Sequence, residues 1–296
     1  MDRKDRIDAF GAVSLVAFSA LLGLNQVVIK VVNEGVQPVF AAGLRSAGAV
    51  LLLYLWMRVR GGRPQVLPGT AWSGLACGLL FGVEFVFLFV ALDLTTVARA
   101  SAIFYSMPVW LALAAHLLIA GDRLSGRKAV GLALAMAGVA WAILDRPGSG
   151  GVSLLGDILA LLAAICWAAI AVLARATSFS RVAPAMQLYW QVGVSAVLLL
   201  ALAPLFGPLL RDIAPVHVAG MAFQIVAVAT GAFLFWFWLL KIYPASGVAS
   251  FSFLSPIFGV AFGWLILGET VGRGLLAALA LVCLGLVLIN RAPTAR

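Results

Sequence analysis

The chain has 296 residues, of which 64% are hydrophobic and only 10% are charged, and its net charge is +9. About a quarter of the residues of a soluble domain are charged, so this composition excludes a soluble globular protein and indicates a surface that faces lipid. The basic residues lie in short gaps between apolar runs rather than on one basic face, which argues against nucleic acid as a partner.

Ten apolar runs follow one another along the chain, each near the roughly 20 residues that a helix needs to cross a ~30 Å hydrocarbon core. The first run is too long for a signal peptide and follows several aspartates, so we interpret it as the first span. The splits near 93–96 and 241–244 rest on short polar breaks, because a continuous helix there would be too long for one span. The predicted spans are 10–32, 37–58, 70–92, 95–117, 127–144, 155–176, 183–204, 215–239, 245–266 and 272–290.

Lysine and arginine residues predict the orientation of these spans. With the N-terminus inside, fourteen of them fall on the cytoplasmic side and five on the outer side. Because cytoplasmic loops carry the excess of basic residues, we expect both termini in the cytoplasm.

Features of the first half recur 145 to 148 positions later, in the same order. The matches are Gly11 with Gly156, Lys30 with Arg175, Pro38 with Pro184, Gly74 with Gly220, Phe87 and Phe89 with Phe233 and Phe235, Pro108 with Pro256, and Gly121-Asp122 with Gly268-Glu269. Each repeat has five spans, an odd number, so the halves must enter the membrane from opposite sides. The sequence predicts an all-α membrane protein of ten transmembrane helices in two inverted five-helix repeats, 1–144 and 155–296, joined by a Pro/Gly-containing linker at 145–154.

Two related blocks, Ala98 to Leu144 and Gly247 to Ile289, each contain a proline-bearing span, a Gly-acid turn and a short span rich in Gly, Ala and Leu. In these features the chain resembles the drug/metabolite transporter superfamily, specifically its EamA-type ten-helix members, over nearly its whole length. Within that group it is most similar to the YddG-type aromatic amino-acid exporters. The resemblance implies export of amino acids of broad range across the bacterial inner membrane.

The sequence contains no motif for catalysis, for a metal or for a cofactor. The three cysteines lie inside apolar runs without paired spacing, so we interpret them as core residues. There is no ATP site, and the driving force must come from a solute or ion gradient. A membrane-embedded enzyme, the alternative of a different class, lacks a motif.

Polar side chains inside spans are the candidates for a binding cavity, because a charge near the bilayer centre costs at least ~2.5 kcal/mol. Arg45 and Glu84 are predicted about 12 Å below the outer ends of their spans, and Asn25 and Gln26 lie at a similar depth. The two charges form either a structural ion pair or a site for the charged ends of a solute. Glu84 is also the natural residue for proton coupling, although pairing with Arg45 would hold it ionised.

Further candidates share helix faces. Serine and glycine faces also suit close helix packing, and matched prolines suit either static kinks or paired hinges. Gly74, Gly78 and Gly82 predict a packing seam. The additional cavity candidates are Ser101, Tyr105, Trp167, Gln187, Gln191, Ser252 and Ser255, and the hinge candidates are Pro108 and Pro256.

These features predict a secondary transporter that exports amino acids by alternating access, with the lipid bilayer and the solute as its partners and no cofactor. A largely apolar cavity also suits a multidrug or organic-cation exporter. A sugar-phosphate carrier would need several deep cationic residues, and here only Arg45 is deep. Whether a proton is coupled stays open at this point.

Overall fold

The computed structural model describes residues 4, 7–118, 125–145, 153–244, 247–248 and 251–290. Within these ranges the chain is helical apart from short connections and one isolated bridge between Val36 and Leu210. The helices are α1 Ala9–Gly35, α2 Pro38–Val59, α3 Ala71–Leu94, α4 Val97–Phe104, α5 Met107–Leu118, α6 Gly126–Leu144, α7 Leu154–Ala176, α8 Pro184–Leu202, α9 Pro215–Phe223, α10 Phe233–Ile242, α11 Leu254–Leu267 and α12 Arg273–Asn290. Short 3-10 turns cover Ser178–Arg181 and Ala203–Phe206, and a π-helical stretch, Gln224–Ala232, joins α9 to α10.

Nine helical segments of the described chain are long and apolar enough to cross a membrane, with α4–α5 and α9–α10 each counted as one crossing. The shorter apolar helix α11 corresponds to the ninth predicted span, so that all ten predicted spans have a helical counterpart. The predicted all-helical membrane fold is therefore confirmed. The polar breaks also lie where expected, since α3 ends at Leu94 and α10 at Ile242. The linker glycines and the Gly121-Asp122 turn lie outside the described residues.

Helix packing follows the inverted repeat. α2 packs on α8, and α6 packs on α12, so the corresponding spans of the two halves contact each other. α3 packs on α7 just as the α9–α10 span packs on α1, and α4–α5 packs on α7 just as α11 packs on α1. Exchanging each span with the one five positions later leaves this pattern unchanged, as a pseudo-two-fold axis in the membrane plane requires.

The recurring pair Gly11 and Gly156 shows the same symmetry at the level of single residues. A Cβ atom on Gly11 would lie 2.7 Å from the ring of Tyr243, which follows α10. A Cβ atom on Gly156 would lie 2.8 Å from Cβ of Thr95, which follows α3. Because it lacks a Cβ atom, each glycine leaves space for the residue at the end of the third span of the opposite half.

The predicted seam of Gly74, Gly78 and Gly82 packs α3 against α8. Cβ atoms at these positions would lie 2.7, 2.5 and 2.7 Å from side-chain atoms of α8. Without hydrophobic driving force between helices in lipid, small residues allow the close approach that holds them together. The seam therefore fixes α3, which carries Glu84, against the second half.

Two crossings are interrupted rather than kinked. The fourth breaks at Tyr105 and Ser106, so that Pro108 is the second residue of α5. In the ninth crossing Pro256 is the third residue of α11, directly after a turn at 251–253. Proline is well tolerated in the first turn of a helix, where its missing N–H has no partner to lose. The matched prolines therefore begin helices.

Candidate functional site

Arg45 and Glu84 are buried, with 4% and 3% of their surfaces exposed, and of the two alternatives that the sequence left open they do not form the structural ion pair. The guanidinium of Arg45 instead lies over the ring of Phe85, 4.4 Å from its centroid. Phe85 follows Glu84 in α3, so the two side chains leave the helix about 100° apart, and the ring rather than the carboxylate meets the guanidinium. Among the described residues, neither Nε of Arg45 nor Oε2 of Glu84 has a hydrogen-bond partner.

Unpaired polar atoms extend from this pair into a layer across the middle of the protein. Asn25 and Glu84 each lie ten residues from the end of their helix, at Gly35 and Leu94, which is about 15 Å. Buried polar groups almost always have partners, so buried atoms without them are candidates for contact with a solute. Within the described chain, buried atoms without partners in this layer are Asn25 Oδ1, Gln26 Oε1, Arg45 Nε, Glu84 Oε2, Gln224 Oε1 and Nε2, and Thr230 Oγ1. We call these six residues the polar layer.

Gln224 and Thr230 also belong to the polar layer, although neither residue was predicted from the sequence. Both lie in the π-helical stretch, and Gln224 is fully buried. Two signals could have found them: a glutamine inside an apolar run, and a threonine that aligns with Glu84 in the repeat. π-Helical turns occur frequently at functional sites.

An aromatic cluster adjoins the layer. Trp167 stacks on Phe104 with centroids 5.1 Å apart, and meets the ring of Tyr105 edge-on at 6.4 Å. The Tyr105 hydroxyl donates to the carbonyl of Leu22 at 3.0 Å and accepts from Nε2 of Gln26 at 3.3 Å. The structure thus brings together three predicted candidates, Gln26, Tyr105 and Trp167, from both halves of the chain.

Several other candidates lie elsewhere. Gln187 donates to the carbonyls of Phe179 and Val182, both at 2.9 Å, and so holds the turn before α8. Ser252 accepts a hydrogen bond of 3.0 Å from Asn290 at the end of α12. Their positions near helix ends place them outside the polar layer.

The remaining serine candidates and Gln191 lie in helix contacts. Ser101 is buried where α4 crosses α11, and its Oγ would be 2.2 Å from a Cβ on Gly259. Ser255 is buried in the first turn of α11. Gln191 is half-buried on α8, one turn before Ser195, which donates to Ser46 at 3.0 Å.

The face formed by the ends of α1, α3 and α6, which we call the distal face, is held by a buried ion pair. Nη2 of Arg99 lies 2.7 Å from Oδ2 of Asp157, and the guanidinium also donates to the carbonyls of Ala142 and Asp145. Thr95 donates to the same carboxylate at 3.0 Å. This network joins the fourth, fifth and sixth spans.

The Gly-acid turn of the second half also closes the distal face. Gly268 adopts φ of +67°, a left-handed conformation that suits glycine at a helix end. The carboxylate of Glu269 then accepts hydrogen bonds from the backbone N–H groups of Val97 and Ala98, at 2.7 and 2.9 Å. A carboxylate is favourable at a helix N-terminus, so the turn anchors α4 from the opposite half.

Two cations complete the distal face. Lys30 donates to the carbonyls of Leu92 and Thr95 at 2.9 and 2.8 Å. Arg211 binds both carboxylate oxygens of Asp93, at 2.8 and 2.9 Å, and these hydrogen bonds raise the pKa of Arg211. Lys30 and Arg211 therefore tie α3 to α1 and to the connection between α8 and α9.

The opposite face, at the start of α1, is held by more exposed contacts. The hydroxyl of Tyr243 donates to Asp8 at 2.6 Å, and the ammonium of Lys4 pairs with the same carboxylate. The Lys4 hydrogen bond, followed by that of Tyr243, holds the pKa of Asp8 well below its usual range. The Lys4 and Asp8 side chains are 49% and 41% exposed, whereas those of Arg99 and Asp157 are 3% and 0% exposed. The distal face thus carries the more deeply buried of the two connections.

The profile of the EamA-like transporter family matches residues 9–144 and again residues 154–291. The chain belongs to the EamA-like transporter family. It is 28% identical over 278 residues to the probable amino-acid metabolite efflux pump of Escherichia coli (strain K12), covering 91% of this chain and 89% of that protein. It is 22% identical over 287 residues to the transporter YoaV of Bacillus subtilis (strain 168), covering 92% and 94%.

A solved crystal structure has the same fold as this EamA-like transporter, with a TM-score of 0.64 at 24% identity over 94% of this chain and 96% of that one. Family membership confirms the superfamily that the sequence resembles and makes the chain a multi-pass membrane transporter. The polar layer is accordingly a candidate solute site.

Proposed function

We propose that this EamA-like transporter exports amino acids, preferentially aromatic and other apolar ones, across the bacterial inner membrane by alternating access. The observation that carries the proposal is that Arg45 and Glu84 lie buried in one layer without forming an ion pair or hydrogen bond to each other. A free amino acid presents one carboxylate and one ammonium. Arg45 complements the first and Glu84 the second, because charge-assisted hydrogen bonds are the strong ones in a buried site.

The preference for apolar side chains rests on the aromatic cluster. Phe104, Tyr105 and Trp167 offer ring faces and edges beside the polar layer. Aromatic solutes gain both burial and favourable ring contacts against such a wall. The name of the E. coli relative, a probable amino-acid metabolite efflux pump, supports the same class of solute.

Alternating access is supported by the two interrupted crossings and by the difference in burial between the ion pairs of the two faces. The breaks before Pro108 and Pro256 occupy matching positions in the repeat, where each half could bend. We place both termini in the cytoplasm and the distal face outside, following the distribution of basic residues. In that orientation the buried Arg99–Asp157 connection blocks the outer exit, and export requires it to open.

An organic cation is the second candidate solute, because Glu84 and the aromatic cluster would suit it. Arg45 opposes it, since a cation would bring like charges together in a site of low dielectric. A sugar phosphate would leave one of its negative charges without a partner.

Exchange in sealed vesicles tests the proposal. Proteoliposomes that contain the protein should exchange labelled phenylalanine against unlabelled phenylalanine without chemical change to it. The substitution Arg45→Gln should slow exchange about tenfold or more, since losing a hydrogen bond to a charged group costs about 1.5–3 kcal/mol. Lys241→Gln, a matched control at the exposed end of α10, should exchange like the unchanged protein.

Cells that overproduce the transporter should also tolerate toxic aromatic amino-acid analogues better than controls. The substrate assignment is wrong if phenylalanine, tryptophan, methionine and threonine all fail to exchange while an organic cation or a sugar phosphate succeeds. The family and the transport class would stand in that case.

A further inference from the structure

Two buried carboxamides of the polar layer, those of Asn25 and Gln224, have hydrogen-bonding atoms without partners. Gln224 is fully buried in the π-helical stretch, and neither its Oε1 nor its Nε2 has a partner among the described residues. Asn25 of α1 is 6% exposed, and its Oδ1 likewise has no partner there. An unpaired polar group costs free energy when it is buried, and most of all at membrane depth. The two carboxamides therefore destabilise the protein unless something binds them.

Contacts between α1 and the α9–α10 crossing show where these two side chains lie. The helices are antiparallel, since Gly35 at the end of α1 contacts His217 in the first turn of α9. One turn further along α9, a Cβ atom on Gly220 would lie 2.7 Å from the side chain of Val32 and 3.2 Å from that of Val28. Gly220 is thus level with position 30 of α1.

The same register brings Gln224 and Asn25 together. Gln224 follows Gly220 by four residues, and its backbone N–H donates to the carbonyl of Gly220, so it projects from the same helix face about 6 Å further along. That is level with position 26 of α1. Asn25 lies seven residues before Val32 and three before Val28, so it continues the face of α1 that meets α9. The two carboxamides therefore lie at one level on facing helix surfaces.

The two carboxamides also adjoin the charged part of the polar layer. Ile225, which follows Gln224, packs on α2, because a Cβ atom on Gly48 would lie 2.6 Å from its side chain. Arg45 lies one turn before Gly48 on the same side of α2. A solute whose carboxylate is bound by Arg45 can therefore extend its side chain towards Asn25 and Gln224.

The unpartnered atoms specify which chemical group can bind between them. Oε1 of Gln224 and Oδ1 of Asn25 accept hydrogen bonds, and Nε2 of Gln224 donates. A complementary group must supply two donors and one acceptor. A carboxylate has no donor, an ammonium has no acceptor, and a hydroxyl has only one donor. A primary carboxamide has an NH₂ group with two donors and a carbonyl oxygen that accepts, so it satisfies all three atoms.

We propose that Asn25 and Gln224 form a subsite for the side-chain carboxamide of a solute, which extends the range of this transporter to glutamine and asparagine. The NH₂ group of the solute donates to Oε1 of Gln224 and Oδ1 of Asn25, and its carbonyl oxygen accepts from Nε2 of Gln224. Arg45 and Glu84 hold the charged ends of the amino acid, as in the proposed function on which this inference rests. The subsite names a second class of solute and the residues that recognise it.

Exchange in proteoliposomes tests the subsite with labelled glutamine and with labelled methionine, whose side chain has a similar length but no amide. The unchanged protein should exchange glutamine. Gln224→Met should lower the ratio of the glutamine rate to the methionine rate about tenfold or more, because two hydrogen bonds to the solute amide are lost. Asn25→Leu, on the opposite helix, should lower the same ratio. Gln65→Met, at an exposed glutamine between α2 and α3, is the matched control and should leave the ratio unchanged.

Thermal unfolding of the detergent-purified protein checks the subsite independently of transport. Gln224→Met removes a buried carboxamide without partners, so its unfolding midpoint should not fall. A solute that binds the folded protein stabilises it. Glutamine should therefore raise the midpoint of the unchanged protein, and should raise that of Gln224→Met less.

The outcomes separate the two proposals. If phenylalanine exchanges but glutamine does not, the carboxamide subsite is wrong although the proposed function stands. The same conclusion follows if the glutamine-to-methionine ratio of Gln224→Met equals that of the unchanged protein. If no amino acid exchanges, the proposed function itself fails, and the subsite fails with it.

Discussion

Arg99 and Asp157 form a buried ion pair between the two halves of the chain, with Nη2 and Oδ2 2.7 Å apart and side chains that are 3% and 0% exposed. Arg99 lies in the fourth span and Asp157 in the sixth, and the guanidinium reaches the end of the fifth through the carbonyls of Ala142 and Asp145. Removing one member of such a pair leaves the other charge buried without a partner. The stability of the distal face should therefore depend strongly on it.

Arg99→Ala should destabilise the protein by about 3–5 kcal/mol, because a stranded buried charge is far more costly than a lost surface contact. The double variant Arg99→Ala, Asp157→Ala should lose less than the sum of the two single variants. Thermal unfolding of the detergent-purified protein measures both. Arg211→Ala, which breaks the more exposed pair with Asp93, is the control and should cost no more than ~1 kcal/mol. Equal losses for Arg99→Ala and Arg211→Ala would contradict this account.

The sequence predicted the fold because spans in lipid are specified by composition and length. Runs of about 20 apolar residues, short polar breaks and an odd number of spans per repeat were enough for ten helices in two inverted halves. The packing seam formed by the glycines at 74, 78 and 82 was also predictable from the sequence, since their spacing places all three residues on one helix face. These properties are local along the chain.

Side-chain partners were much less predictable. Arg45 and Glu84 share a depth, and that made a pair plausible, but depth does not specify which way each side chain leaves its helix. Phe85, not Glu84, meets the guanidinium. Arg99 and Asp157 are 58 positions apart, and no spacing rule connects them. The π-helical stretch that carries Gln224 likewise depends on packing against α1 and α2 rather than on its own composition.

The contact between Arg45 and Phe85 should contribute measurably to stability. A guanidinium over an aromatic face is worth up to about 2 kcal/mol when it is desolvated, and the two lie 4.4 Å apart. A double-mutant cycle of Arg45→Met and Phe85→Leu should therefore give a coupling energy of about 1–2 kcal/mol in thermal or denaturant unfolding. Phe81→Leu is the matched control, because Phe81 contacts the ring of Phe85 without lying under the guanidinium. The effects of Phe81→Leu and Arg45→Met should be additive within about 0.5 kcal/mol. A similar coupling energy in both cycles would show that Arg45 and Phe85 do not interact specifically.

Gly78→Ala should loosen the contact between α3 and α8. The new methyl group would lie 2.5 Å from Cβ of Val194 and 2.9 Å from the backbone carbonyl oxygen of Trp190, so the helices must move apart. Overpacking of this kind costs typically 1–3 kcal/mol. Gly193→Ala is the control on α8, since nothing lies within 4 Å of its added Cβ, and it should not reduce stability. Unfolding in detergent compares the two variants. An unchanged unfolding midpoint for Gly78→Ala would mean that the contact between α3 and α8 accommodates the added methyl group.

The orientation of the chain can be tested with reporters fused on the two faces. We expect both termini in the cytoplasm, because fourteen of the Lys and Arg residues then lie inside and five outside. A reporter that is active only in the periplasm should give no signal when fused after Arg291. The same reporter inserted at Gly207, in the connection between α8 and α9 on the distal face, should be active. A reporter that is active only in the cytoplasm should give the reverse pattern at the two sites.

Periplasmic activity after Arg291 together with no activity at Gly207 would show that the protein has the opposite orientation in the membrane. The Arg99–Asp157 connection would then close the cytoplasmic entrance instead of the outer exit. Periplasmic activity at both sites would mean that the number of crossings between them is even, whereas the structure places three there, α9–α10, α11 and α12.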